Sequence, residues 1–164
     1  MAKETFKPGT MIYPLPAVLV SCGGSPEDYN LMTAAWTGTL CTDPPMCYVS
    51  IRPERHSYGL IKKYGEVVLN LTTEELAKAT DWCGVKSGRD TDKWAAMGLH
   101  PLPGHAVKAP IVVESPLSIE CRVVQILELG RTRHPERLAR SMICLRARGV
   151  ISLPSAPIGI WRRP

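Results

Sequence analysis

The chain has 164 residues, 45% of them hydrophobic, which is enough for one globular domain with a core and excludes a disordered chain. No apolar run approaches bilayer length, and the first ten residues lack the apolar core of a signal peptide, so we expect a cytoplasmic protein. The six cysteines form no CxxC pair and lie mostly in apolar surroundings, which indicates reduced thiols and no metal site.

The net charge of +5 is concentrated at the C-terminal end. Residues 1–130 carry 12 basic and 14 acidic side chains, whereas residues 131–164 carry eight arginines, no lysine and one glutamate. Because the basic charge is not spread over the main part of the chain, nucleic acid is not the expected partner. The sequence therefore divides into a main domain, 1–130, and an atypical Arg-rich tail, 131–164.

The first predicted elements form a β-hairpin. Residues 17–22 are a short apolar run that ends at a Gly-Gly-Ser-Pro turn, and residues 30–36 follow as a second strand. A Thr/Gly turn and an Asp-Pro-Pro turn then lead into a third strand, residues 46–51.

Helices and strands alternate in the middle of the chain. Ser57 can cap a helix that ends at Gly65, and residues 66–71 form a β-rich apolar run. A helix is predicted from residue 73 to about residue 82, and a short helix over residues 92–97 ends at a glycine.

The last clear strands are predicted at residues 111–114 and 117–127. In the second of them apolar residues alternate with polar ones, Glu120 among them, which predicts one face in the core and one in water. Short strands with helices inserted between them favour a small β-barrel over a parallel βαβ sheet.

Three side chains suited to a phosphate group meet where residues 46–51 give way to a helix. Arg52 and Arg55 carry guanidinium groups that match phosphate oxygens, and Ser57 lies at a helix start, where free amides favour an anion. His56 lies beside them and can add a hydrogen bond, without a catalytic role. The alternative is two solvated arginines and an ordinary helix cap.

Three segments of the chain are similar to one known family: YPLPAVLVSCG, NLMTAAWTGTLCTDPPMCYVSIRPERHSY and GEVVLNLTTEELAKATDWCGVKSGRDTDKWAAMGL. Together, over roughly residues 11 to 130, they resemble the flavin reductase-like, flavoredoxin-type family of FMN-binding split-barrel proteins. The resemblance implies a mainly β fold, a Greek-key split β-barrel with short inserted helices. It also implies a homodimer with non-covalent FMN near the subunit interface, NAD(P)H as electron donor, and a small-molecule or protein acceptor.

The resemblance also implies the flavin contacts, motif by motif. Along the isoalloxazine ring and ribityl chain it places Asn30, Thr33, Trp36 and Thr37; around the phosphate it places Arg52, Arg55 and Ser57. Lys93 of the SGRDTDK motif would reach the flavin, where its charge favours the anionic reduced form. No residue is expected to be catalytic, because the flavin carries the redox chemistry. The alternative is a core tryptophan, a turn-forming asparagine and a surface lysine.

The sequence departs from the family after Gly130. The family's SHD-like histidine has no secure counterpart, since His134 is out of register. Two hypotheses account for the tail: a frameshifted or aberrant terminus, or a genuine Arg-rich tail that binds nucleic acid or an acidic partner. In either case the C-terminal part is predicted to be incomplete, which exposes a sheet edge, and its helical periodicity is only partial.

The predicted function is that of an NAD(P)H-dependent oxidoreductase, either a flavin reductase or a flavoredoxin-like electron carrier. The alternative is a non-catalytic FMN-binding or basic-tail interaction protein. Cys41 and Cys47 flank the Asp-Pro-Pro turn, and a thiol near a flavin raises the further alternative of a disulfide reductase, although nothing in the sequence depresses a thiol pKa.

Overall fold

The structure of the protein is a computed structural model that describes residues 3–131 and 138–152. Its strands, in chain order, are β1 (Val18–Cys22), β2 (Asn30–Ala34), β3 (Thr37–Thr42), β4 (Pro45–Ile51), β5 (Glu66–Leu71), β6 (Pro101–Pro103), β7 (Pro110–Val112), β8 (Leu117–Arg131) and β9 (Leu138–Ser152). Its α-helices are α1 (His56–Tyr64), α2 (Ala77–Val85) and α3 (Lys93–Met97), and a short 3-10 helix covers Pro26–Asp28.

Seven strands form one antiparallel sheet in the order β2-β1-β5-β8-β9-β4-β3, and β6 pairs with β7 beside it. Strands β1 and β2 form the predicted hairpin, and both of their faces are covered. One face joins the main core with β4, β5, β9 and α1, and the other packs against α2 and α3. Burial on both faces explains why residues 17–22 are apolar apart from Ser21. Among the described residues, no helix is long and apolar enough to cross a membrane.

The ends of two helices follow their predicted glycines. Gly65 and Gly98 adopt left-handed conformations with φ of 67° and 63°, which close α1 and α3. The Asp92 carboxylate caps α3 by accepting hydrogen bonds from the backbone amides of Trp94 and Ala95. The predicted Ser57 cap is wrong, because Arg55 is the N-cap of α1 and Ser57 lies inside the helix. Helix α2 begins at Ala77, later than the predicted residue 73.

The segment predicted as a Thr/Gly turn is strand β3. It pairs with β4 in a register that aligns Thr37 with Val49 and Gly38 with Tyr48. Threonine favours extended backbone, yet most of β3 is exposed and therefore lacks the apolar alternation by which a strand is recognised.

The polar face of β8 was predicted to lie in water, and at Ser118 and Glu120 this is wrong, since both are buried. Glu120 is fully buried. A loop folds over its carboxylate and donates three backbone hydrogen bonds, from His105 (3.0 Å), Val107 (3.1 Å) and Ala106. The loop amides compensate for the burial of the Glu120 carboxylate. Because these donors come from another segment of the chain, the alternation of residues along β8 cannot predict the burial.

Part of the Arg-rich tail forms a strand of the main sheet. β9 pairs with β8 on one side and β4 on the other, and its Ile143 and Leu145 are fully buried in the main core. The partial helical periodicity of the tail therefore does not produce a helix at residues 138–152, and β8 is not left as an open edge. His134 and residues 153–164 lie outside the described residues, and the division of the chain at residue 130 stays a prediction.

Candidate functional site

Two adjoining cavities open beside the junction of β4 and α1. One, which we call the arginine cavity, has a volume of about 510 Å³ and is bordered by Arg52, Arg55 and Ser57. The other, the proline cavity, has a volume of about 650 Å³ and is bordered by Pro26, Pro101 and Pro103. Both are lined by a shared set of residues, Asn30, Gly88, Arg89, Asp90 and Lys93.

A buried polar pair borders the arginine cavity. Asn30 on β2 and Ser57 on α1 are 6% and 1% exposed, and Asn30 Nδ2 donates a hydrogen bond to Ser57 Oγ at 2.7 Å. Within residues 3–131 and 138–152, Asn30 Oδ1 accepts no hydrogen bond. The Cys22 thiol donates to the backbone oxygens of both residues, and burial raises its pKa to about 12, so it stays neutral. The pair therefore retains hydrogen-bonding capacity for a polar ligand.

Gly88 lets a loop lie directly against Asn30. A Cβ atom at Gly88 would fall 1.9 Å from Asn30 Oδ1, a distance that no non-bonded contact permits. Only glycine therefore fits between the two cavities without moving the asparagine.

Two exposed guanidinium groups border the same cavity. Arg55 Nη1 donates to the backbone oxygen of Gly84, near the C-terminal end of α2, at 3.0 Å. A cation is favourable at that end of a helix, so this contact holds the Arg55 side chain in place. Arg52 precedes it by three residues, and Arg55 N donates to the Arg52 carbonyl at 3.0 Å, which forms a tight turn. The turn therefore places Arg52 beside Arg55 at the cavity.

Lys93 contributes a buried positive charge. It is 4% exposed, and its Nζ donates to the backbone oxygen of Cys83 at 2.8 Å. Burial lowers the pKa of Lys93, and the nearby Arg55 charge lowers it further. No carboxylate of the described residues forms an ion pair with Lys93. A buried ammonium group without a carboxylate favours an anionic ligand.

Arg140 is a neighbour of the site that the sequence patterns missed. From β9 its guanidinium lies 3.9 Å from the ring centroid of Trp36, and it donates to Ser50 Oγ at 2.9 Å and to Ser50 O at 2.6 Å. Burial lowers the pKa of Arg140, and the charges of Arg52 and Arg55 lower it further. A third guanidinium thus adds to the positive potential of the site. Its only sequence signal was the Arg-rich composition of the tail.

The structure brings together five of the eight predicted site residues, namely Asn30, Arg52, Arg55, Ser57 and Lys93. The half-buried His56 lines the same cavity. Trp36 lies between β2 and β3, is 36% exposed, and is stacked by Arg140.

The two predicted threonines lie elsewhere. Thr33 donates to the backbone oxygen of Thr80, and it lines a separate groove against α2 with Gly84. Its strand neighbours Met32 and Ala34 belong to the main core on the opposite face of β2. Thr37 donates to the backbone oxygen of Tyr48 at 2.7 Å, within the β3-β4 pair. Their roles as flavin contacts stay predictions.

An antiparallel barrel with a cationic cavity at a strand-to-helix junction defines a class of protein suited to holding an anionic ligand. Comparison with known families identifies which one. Residues 10–134 match the family described as Flavin reductase like domain, and the chain belongs to this family.

Curated relatives and solved structures agree with this assignment. An uncharacterized protein of Pyrococcus abyssi is 34% identical over 120 residues, which are 73% of this chain and 68% of that protein. An uncharacterized protein of Archaeoglobus fulgidus is 35% identical over 119 residues, which are 73% of this chain and 66% of that protein. The matched part thus spans about two thirds of these relatives.

Among solved structures, flavoredoxin of Desulfovibrio vulgaris (Miyazaki F) is 29% identical with a TM-score of 0.81, and the match covers 94% of this chain and 78% of that one. Flavoredoxin from Methanosarcina acetivorans is 25% identical with a TM-score of 0.81, and the match covers 94% and 77%. The mainly β, split-barrel fold predicted from the sequence is therefore confirmed.

Proposed function

We propose that the protein binds FMN, with the phosphate in the arginine cavity, and works as a flavin-dependent oxidoreductase. The observation that carries this proposal is the convergence of Arg52, Arg55 and Lys93 on the Asn30–Ser57 pair. Membership of the flavin reductase-like family supports a flavin-binding redox function. The motif resemblance to FMN-binding split-barrel proteins and the likeness to two flavoredoxins favour FMN as the flavin.

The residues present fit a flavin phosphate. A phosphate monoester carries close to two negative charges at neutral pH, and arginine forks donate to its oxygens in pairs. Arg52 and Arg55 supply two such forks, and Ser57 can donate its hydroxyl proton because Asn30 donates to its oxygen. Lys93 adds a buried positive charge that no described carboxylate neutralises.

The two cavities together suit a long cofactor that has a phosphate at one end. Their volumes of about 510 and 650 Å³ lie within the range of ligand pockets, and both are lined by Asn30 and Lys93. We assign Asn30 Oδ1, which accepts from none of the described residues, to a donor of the ribityl chain or ring. Trp36, Thr33 and Thr37 remain proposed contacts: Trp36 lines neither cavity, and the two threonine hydroxyls would have to leave their present acceptors.

Bound FMN supplies hydride and single-electron transfer chemistry, and the chain's residues set where and how readily it occurs. Lys93, Arg55 and Arg140 place positive charge around the cofactor, which favours its reduced, anionic form. We propose that NAD(P)H supplies the electrons and that a small molecule or a partner protein receives them. We further propose a cytoplasmic homodimer with the flavin near the subunit interface.

A direct test is the visible spectrum of the purified chain, with the released flavin identified by chromatography. We expect a flavin spectrum in the protein as isolated or after addition of FMN. A colourless protein that also fails to bind added FMN would overturn the proposal.

Anaerobic addition of NADH or NADPH then separates the two modes of action. Steady oxidation of the nicotinamide cofactor with free flavin identifies a flavin reductase. Bleaching of the bound flavin only by a reduced partner protein identifies an electron carrier. FMN binding without reduction by either donor identifies a non-catalytic flavin-binding protein.

A further inference from the structure

Gly88 lies in the loop between α2 and α3 and borders both cavities. Its φ angle is outside the left-handed region, so the backbone conformation at this position does not itself require glycine. The three atoms nearest to a Cβ added at Gly88 all belong to the Asn30 side chain, with Cγ at 2.8 Å and Nδ2 at 3.4 Å. The absence of a side chain at Gly88 therefore makes room for Asn30 in particular.

Two other glycines show what a requirement of the backbone looks like. A Cβ atom at Gly104 would collide with the backbone oxygens of Val107 and Ala109. Gly23 has a φ of 120°, and a Cβ atom there would collide with the backbone of Asp28. Both glycines are needed to form a turn, whereas Gly88 is crowded by one polar side chain of the candidate site.

The loop that carries Gly88 is fastened at its ends and within. Lys93 Nζ, at the start of α3, donates to the backbone oxygen of Cys83 in α2 at 2.8 Å, which joins the two ends of the loop. Inside it, the amide of Asp90 donates to the backbone oxygen of Ser87 at 3.3 Å. We therefore expect a side chain at position 88 to displace the asparagine amide and leave the loop in place.

The other end of the Asn30 amide group is held by Ser57. Asn30 Nδ2 donates to Ser57 Oγ at 2.7 Å, so a displaced amide group also loses this hydrogen bond. The amide group is thus confined between Gly88 on one side and Ser57 on the other.

We propose that Gly88 is a positioning residue of the flavin site, which acts by holding the Asn30 amide in the orientation that contacts the cofactor. This inference rests on the proposed binding of FMN. It assigns to Gly88 an effect on affinity that passes entirely through Asn30, so the effect of a substitution at one position depends on the residue at the other.

Fluorescence titration of FMN against a set of variants tests this dependence. Gly88→Ala should weaken FMN binding about 5- to 30-fold, as expected for the loss of one hydrogen bond to the ligand. In the Asn30→Ala background no amide group remains to be displaced, so adding Gly88→Ala should change the affinity less than about twofold. A purely structural role of Gly88 would lower the affinity by the same factor in both backgrounds.

Thermal melting of the flavin-free variants tests the contact without FMN. Because an added methyl group overpacks the site, Gly88→Ala should lower the melting temperature by roughly 3 to 8 °C. In the Asn30→Ala background the same change should lower it by less than about 2 °C.

Gly59→Ala is the matched control. A Cβ atom at Gly59, on the exposed face of α1, meets no other atom within 4 Å. This variant should bind FMN as the wild-type chain does and should melt no lower, because alanine favours a helix over glycine.

The outcomes separate this proposal from the proposed function. If the wild-type chain binds FMN and Gly88→Ala either binds it equally well or loses the same factor in both backgrounds, the positioning role alone is overturned. If the wild-type chain binds no FMN, the proposed function fails and the positioning role fails with it, even where the melting temperatures confirm the contact.

Discussion

Two buried asparagines show how the same side chain serves different purposes in this barrel. Asn70 on β5 is fully buried, and its Nδ2 donates to Leu19 O at 3.0 Å and to Ser21 Oγ at 2.9 Å. Its Oδ1 accepts from Val112 N at 3.0 Å and from Ser118 Oγ at 2.7 Å. We call this group the Asn70 hub.

Among the described residues the Asn30 side chain on β2 makes one hydrogen bond, to Ser57, and Asn30 lines both cavities. The Asn70 hub joins β1, β5, β7 and β8, so its hydrogen bonds stabilise the fold. Because both asparagines are buried, we infer that the number of unfilled hydrogen bonds, more than burial itself, separates Asn30, the proposed ligand contact, from Asn70, which holds strands together.

The largest expected effect is that of Asn70→Ala on stability. It leaves Ser118 and the amide of Val112 without a buried partner, and each such group costs about 1–3 kcal/mol, whereas Ser21 keeps its hydrogen bond to the backbone oxygen of Pro110. We expect a loss of about 3–5 kcal/mol in the free energy of unfolding. Urea denaturation of the Asn70→Ala and Asn30→Ala variants measures the free energy of unfolding of each. For Asn30→Ala we expect a loss of about 1 kcal/mol. Equal losses would erase the distinction between the two sites.

The next effect concerns binding and leaves the fold in place. Because Arg52 and Arg55 are exposed, replacing both by alanine should cost little stability but weaken FMN binding about 100-fold or more. Fluorescence titration of FMN measures this loss. The matched control is Lys62→Ala with Lys78→Ala, which removes the same charge at exposed positions outside both cavities. If flavin affinity is unchanged in the arginine variant, the phosphate assignment is wrong.

A smaller effect is expected at Asn30 itself. Asn30→Ala removes one hydrogen bond to the ligand and frees the Ser57 hydroxyl, so FMN affinity should fall about 5- to 30-fold. Thr33→Val is the corresponding change on the opposite face of the same strand. It tests the assignment of Thr33 as a flavin contact independently of the assignment of Asn30. An unchanged affinity in Thr33→Val would remove that threonine from the flavin site, whereas a comparable loss would show that it turns toward the ligand.

The smallest effect is a pH dependence that belongs to Lys93. Its pKa in the free protein lies below the ordinary 10.5 because the group is buried, and a bound phosphate would raise that pKa again. FMN binding should therefore take up a proton at alkaline pH and weaken as pH rises toward the ordinary lysine value of 10.5. In the same range the flavin-free protein should gain stability, because the unfolded chain binds more protons. In Lys93→Met, FMN binding and the stability of the flavin-free protein should both lose this pH dependence. If either pH dependence persists, a titratable group other than Lys93 causes it.

Local patterns were sufficient for much of the fold. The apolar runs of β1 and β5 and the glycine ends of α1 and α3 are properties of neighbouring residues, and these elements form close to where they were predicted. Strand β3 was missed because exposed threonines carry no apolar alternation. The burial of Glu120 was missed because it depends on a loop that folds over the strand.

The residues of the candidate site were likewise predictable only where they are close in sequence. Arg52, Arg55 and Ser57 are close in sequence, so their convergence could be predicted from one motif. Arg140 could not, because it reaches Trp36 and Ser50 only through the register of β9 against β4. Thr33 was assigned by motif, and the pleat of β2 turns it to the other face.

The position of β9 has a consequence for biosynthesis. This strand comes late in the chain yet lies between β8 and β4, and β3 and β4 join the rest of the sheet through it. When synthesis has reached the end of β8, the turn that carries Arg52 and Arg55 is complete, but β9, which joins that turn to the rest of the sheet, is not. Nascent chains should therefore stay unable to retain a flavin until β9 emerges, and they then acquire the sheet and the site in a single late step.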